Sequence, residues 1–185
     1  MCSRFNQRWL AKNKSFNLER WKNLIELGVL SSNLPEEKGG LGMDQVTLAL
    51  MVEEMGYAGL PEPVAEQIFL VNDVIPFLPK NVTEAVESNY NDGTQYIALA
   101  HPLAPNPLFL NDAAGLILLD NSECKFIAQD DMDFEIISSN DPSRELFKVS
   151  SMNNAISTSE NFDELNSAVS SRGSLMTAAL LIGLA

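Results

Sequence analysis

Leu24-Ile-Glu-Leu-Gly-Val-Leu-Ser-Ser-Asn-Leu-Pro-Glu-Glu-Lys-Gly-Gly-Leu-Gly-Met-Asp44 reads as a helix end, a glycine-rich connection and a second helix start. Upstream of it Leu18, Trp21, Leu24 and Ile25 recur at helical spacing and form one apolar stripe. Asn17 suits the N-cap, and Gly28 suits the residue just past the helix, where the left-handed conformation is cheap only for glycine. Pro35 holds Leu34 extended, and Asp44 is placed to cap the next helix, with Met43 and Leu48 as a hydrophobic staple.

Working outward, residues 45–58 predict a helix so dense in apolar groups (Val46, Leu48, Leu50, Val52, Met55) that burial on nearly all sides is expected. Glu53 and Glu54 are adjacent on it and point about 100° apart, so they do not face one substrate together. Pro61 and Pro63 break the chain before a third helix from Val64 to about Phe77, with a weaker helix over Val82–Ser88. Residues 1–16 carry Phe5, Trp9 and Leu10 among four cations, which oppose the dipole of a helix start and suit a frayed or docked terminus. Asn89 to Thr94 is rich in turn formers.

Beyond Thr94 the hydrophobic period changes from helix to strand. Gln95–His101, Gly115–Leu119, Cys124–Ala128, Phe134–Ile137 and Leu146–Ser150 read as strands, with Asp120-Asn121 at a hairpin turn. Residues 151–161 read as a polar connector. From Phe162 the pattern is helical again, placing Leu165, Val169, Met176, Ala179, Leu180 and Gly183 on or near one face. The expected architecture is α+β: an N-terminal helical bundle over 1–92, a small antiparallel β-domain over 93–158, and one C-terminal helix over 159–185. The apolar run Leu175–Ala185 is too short to span a bilayer and needs cover from elsewhere.

Composition narrows the function classes. Residues 1–40 carry a charge of +3 and the remainder −16, which argues against a nucleic-acid partner, since phosphate binding needs clustered Lys and Arg. Two distant cysteines, Cys2 and Cys124, make no disulfide framework, and with one histidine, His101, they give no zinc spacing. No metal site is expected. The N-terminus has no apolar signal region, so the expected location is the cytoplasm, with no membrane partner.

Trp21 through Pro63, including "LIELGVLSSNLPEEKGGLGMD" and "VEEMGYAGLPEP", resembles the N-terminal helical domain of acyl-CoA dehydrogenases. There a helix ending in Leu-Gly leads through a Pro-Glu-x-x-Gly-Gly-x-Gly loop to a helix carrying Glu-Glu. "DAAGLILLD" and "SNDPSRELFKVS" follow in the order of that family's middle domain, here contracted, and the last helix resembles the start of its C-terminal domain. The resemblance implies FAD, an acyl-CoA substrate, α,β-dehydrogenation, an electron-transfer partner and homo- or hetero-oligomers. It places the catalytic carboxylate beyond Ala185, so no base is assigned.

The family's flavin-contacting strand, with its Thr/Ser-Glu-Pro run, falls on Ile97-Ala-Leu-Ala-His-Pro102. Ala100 replaces the hydroxyl and His101 the acid, which leaves the backbone N–H groups of Leu99 and Ala100 as donors. The family's later Trp-Ile-Thr/Ser strand has no counterpart. Arg172 or Ser174 matches the position near the thioester. Three roles follow: a flavin-dependent dehydrogenase, a non-catalytic partner subunit that has lost flavin contacts, or a scaffolding protein without CoA chemistry.

Overall fold

The computed structural model describes residues 16–69, 74–75, 78–80, 83–84, 96–120, 122–141, 143–160 and 162–185. Helix α1 spans Leu18–Glu26; the Asn17 side chain accepts the Arg20 N–H at 2.9 Å, as expected of an N-cap. At its other end Gly28 has φ +73°, its N–H bonds to the Ile25 carbonyl, and the Val29 N–H reaches back to Leu24. This pair of bonds is a Schellman closure, which satisfies carbonyls the helix leaves open. The connection then folds back on itself through Met43 N–H to the Ser32 carbonyl and Gly42 N–H to the Leu34 carbonyl.

Helix α2 spans Gln45–Ala58, and the Asp44 carboxylate accepts the Thr47 N–H at 2.8 Å. That backbone bond holds the Asp44 carboxyl below its ordinary range. Burial on all sides, expected from the sequence, is not what the structure has. Leu48, Val52 and Gly56 are buried, whereas Val46 is 71% exposed and Tyr57 82% exposed, with Leu50 also outward. The outward residues follow one another at helical spacing along a face that no other element among the described residues covers.

Helix α3 spans Val64–Phe69. The expected continuation to Phe77 and the helix at Val82–Ser88 lie mostly outside the described residues, as do residues 1–15 and the expected boundary near residue 92. The last helix, α4, runs Phe162–Leu184 and packs along α2. By length and composition it reaches far enough to cross a membrane, because the helix begins well before the apolar run at Leu175. Within this chain, though, Leu165, Val169, Met176 and Ala179 are buried, so part of the expected cover is internal. Leu181, Ile182 and Leu184 remain exposed.

The strands are β1 Tyr96–Ala100, β2 Ala113–Leu119, β3 Cys124–Ala128, β4 Met132–Ile137, β5 Leu146–Met152 and β6 Ile156–Thr158. They form a four-stranded sheet in the order β1-β2-β3-β6 and a two-stranded ribbon β4-β5. The sheet is mixed rather than wholly antiparallel: β1 and β2 run parallel. Residues 101–112, which the sequence passed over as a contraction, are long enough for the crossover that a parallel pair requires. β6 lies inside the segment expected to be a polar connector, where three pairs, including Phe126 with Ile156, hold it to β3.

β1 and β2 are buried on both faces, and the residues alternate between two cores. Tyr96, Ala98 and Leu116 join a core with Trp21, Val52 and Ile68 from the helices, whereas Ile97, Ile117 and Leu119 join one with Phe162, Leu165 and Val169 of α4. Helical and β regions are riveted by aromatic contacts: Phe16 stacks on Tyr96 at 5.0 Å, and Trp21 meets Tyr96 edge-on at 5.7 Å.

Two contacts yield predictions. A Cβ on Gly56 would run into the Leu180 carbonyl, and one on Gly183 into the Glu53 carbonyl, closer than real Cβ atoms approach. Gly56→Ala or Gly183→Ala should therefore lower unfolding stability by about 1–3 kcal/mol in urea titrations, whereas Gly173→Ala, with open space at its Cβ, should raise it by about 0.5–1 kcal/mol. The second contact is the Glu62–Arg20 ion pair at 3.1 Å, whose carboxylate side chain is fully buried. Burial pushes the Glu62 carboxyl above its ordinary range, and Arg20 opposes that rise. A raised folded pKa means the native state keeps the proton after the unfolded chain has released it, so this group's contribution to stability falls as pH rises through that interval. Glu62→Gln should remove that part of the slope. Wild type minus variant, measured by denaturation from about pH 4.5 to about pH 7, should become less favourable as pH increases.

Candidate functional site

The end of β1 opens onto a bent groove between α3, α4 and the loop before β5. One arm, about 550 Å³, is lined by α4 through Val169, Ser170, Gly173, Ser174, Thr177 and Leu181, and by Ala65 and Leu103 opposite. The other, about 360 Å³, runs along β1 past Pro63, Tyr96, Asn106, Ser139 and Asp141. Glu66, Leu99, His101, Ala104 and Arg144 line both arms.

β1 is an edge strand, so half its backbone groups face away from β2. The Ile97 N–H donates to the Gln67 side chain at 3.2 Å, and the His101 N–H to the Ala104 carbonyl at 3.1 Å. Both point away from β2, and Leu99 lies between them with the same parity. The Leu99 N–H and C=O therefore face the groove, whereas those of Ala100 turn toward β2. Ala100 is 2% exposed. Of the two expected backbone donors, the structure offers Leu99 and withdraws Ala100.

His101 is tied on both sides of its ring. The Leu103 N–H donates to Nδ1 at 3.2 Å, which makes Nδ1 an acceptor; Nε2 then carries the proton and donates to Asn166 Oδ1 at 2.9 Å. Ser170 Oγ lies 3.2 Å from the same Nε2. A serine beside a histidine suggests a nucleophile and its base, but the protonated Nε2 has no lone pair for the Ser170 hydroxyl proton. In this tautomer the pair is a staple between strand and helix. Cys124 is no nucleophile either, since burial pushes its thiol up to about 12.

The residues at the strand end do not fit a flavin. Ala100 brings no hydroxyl, its N–H faces β2, and both ring nitrogens of His101 are engaged by this chain's own groups, which leaves Leu99 as the backbone contact. Of the two candidates on α4, Ser174 lines the groove and Arg172 does not. Among the described residues no cluster of three His, Cys, Asp or Glu could hold a metal ion.

Sequence reasoning passed over Asn166, Ser170, Glu66 and Arg144. Arg144 donates through Nη2 to Glu66 Oε1 and through Nε to the Pro61 carbonyl, each at 3.3 Å. A signal for it existed: it is one of only five cations after residue 40, set among carboxylates.

The N-terminal domain family of acyl-CoA dehydrogenases matches residues 2–90. No curated protein sequence matches the chain. Among solved structures, the ChsE4-ChsE5 complex from Mycobacterium tuberculosis aligns with a TM-score of 0.70 at 15% identity, over 98% of this chain and 58% of its own. The prolyl acyl carrier protein oxidase AnaB aligns with a TM-score of 0.70 at 16% identity, over 92% of this chain and 58% of its own. A glutaryl-coenzyme A dehydrogenase aligns with a TM-score of 0.56 at 14% identity, over 88% and 54%. At these identities the likeness is one of fold, and the chain spans just over half the length of each. Residues 2–90 are thus similar to the N-terminal domain of acyl-CoA dehydrogenases, and the chain carries the fold of these solved structures across its β-region and last helix.

Proposed function

We propose that the chain binds acyl-CoA thioesters in the groove between β1 and α4, as the partner subunit of an acyl-CoA dehydrogenase-type assembly. FAD-dependent α,β-dehydrogenation is the activity the family resemblance implies; in this reading the flavin belongs to the partner. One observation favours this over a self-sufficient dehydrogenase. At the end of β1, where a flavin hydroxyl contact is expected, the chain has buried Ala100 and a His101 already bonded to Asn166 and Leu103. The groove itself survives, mostly apolar along α4 with Ser174 at its wall, which suits an acyl chain with a polar head.

An assembly needs a seat for its second member. Val46, Leu50 and Tyr57 of α2 and Leu181, Ile182 and Leu184 of α4 are exposed on the two helices that pack together, and a monomer seldom presents so many apolar groups. That a neighbour of the same fold was solved as a two-component complex agrees with this arrangement.

The purified full chain should lack stoichiometric visible flavin absorbance yet bind butyryl-CoA in calorimetry. One flavin per chain would overturn the partner-subunit reading, and no thioester binding would overturn the groove assignment.

A further inference from the structure

The junction of the two groove arms carries hydrogen-bonding capacity that the fold does not use. Arg144 has five N–H donors, of which Pro61 and Glu66 Oε1 take two. Glu66 Oε2 is shielded from water and has no hydrogen-bond partner, a state that costs free energy until a donor reaches it. Leu99 lines both arms, and by the parity of Ile97 and His101 its N–H and C=O point away from β2 on that side. The chemistry of a fitting ligand follows from charge. An anion drawn to Arg144 would also meet the Glu66 carboxylate 3.3 Å away, in a chain of net charge −13. A neutral group with one donor and one acceptor meets no such opposition.

The geometry points to a subsite at Glu66, Arg144 and Leu99 that reads a secondary amide in an extended, neutral ligand arm. The amide N–H is accepted by Glu66 or the Leu99 carbonyl, and its C=O takes a donor from Arg144 or the Leu99 N–H. Glu66 Oε1, which takes one donor from Arg144, keeps a second lone pair for the amide N–H. This inference rests on the thioester reading above and specifies which part of the thioester ligand is held at the bend.

The test uses S-butyryl-N-acetylcysteamine and an isostere in which the amide N–H is replaced by an ester oxygen. Both are neutral and nearly the same size. Calorimetry on the full chain should show the amide probe binding roughly three- to tenfold more tightly. In Glu66→Ala that ratio should fall toward one, while the ester probe keeps its affinity within about twofold. Equal affinities in the wild type overturn the amide subsite and leave the groove assignment standing. An unchanged ratio in Glu66→Ala removes Glu66 from it. Binding of neither probe overturns the thioester reading and this subsite with it.

Discussion

The close approach of α2 and α4 at Gly56 and Gly183 is the constraint on which the site depends. Leu180 and Glu53 carbonyls occupy the space a side chain would need, so the helix axes come nearer than ordinary residues would permit. That nearness sets where α4 lies, and α4 supplies one whole wall of the groove. Moved outward by a methyl group at that end, the helix would pull Thr177 and Leu181 back from the groove.

Much of the helical region was legible because its signals are local. Asn17, Gly28 and Asp44 act through bonds to residues within a few positions, so their meaning is contained in the stretch around them. The sheet was legible as strands but not as a topology. β1 and β2 are apolar on both faces, and such a run carries no record of the direction of its neighbour. The parallel pairing follows instead from the twelve residues 101–112, whose length is informative only once the two strands are known to be adjacent. β6 escaped notice because Ile156-Ser-Thr158 is too short and polar to have a period.

The site was the least legible part. Leu99, His101 and Ser174 were reached through the resemblance, and all three do line the groove. Arg144 and Glu66 were not, since they stand 78 residues apart and nothing in either local sequence names the other. Ala100 shows the opposite failure: the residue was placed on the right strand, but a one-residue change of parity decides whether a backbone donor meets a ligand or the next strand.

The β4-β5 ribbon has a consequence for the groove that its position alone does not suggest. It shares no ladder with the four-stranded sheet; it is joined to the chain through Phe147 N–H to Pro107, Phe109 N–H to Glu145 and a bridge between Leu108 and Leu146. Arg144 stands at the root of this ribbon. Cooperative units open with their own free energies rather than that of the whole molecule. Arg144 thus shares the lifetime of a two-stranded ribbon, while Glu66, Leu99 and the apolar arm share that of the helices and the larger sheet. A ligand spanning both would tie the two lifetimes together, and its release would be timed by the weaker.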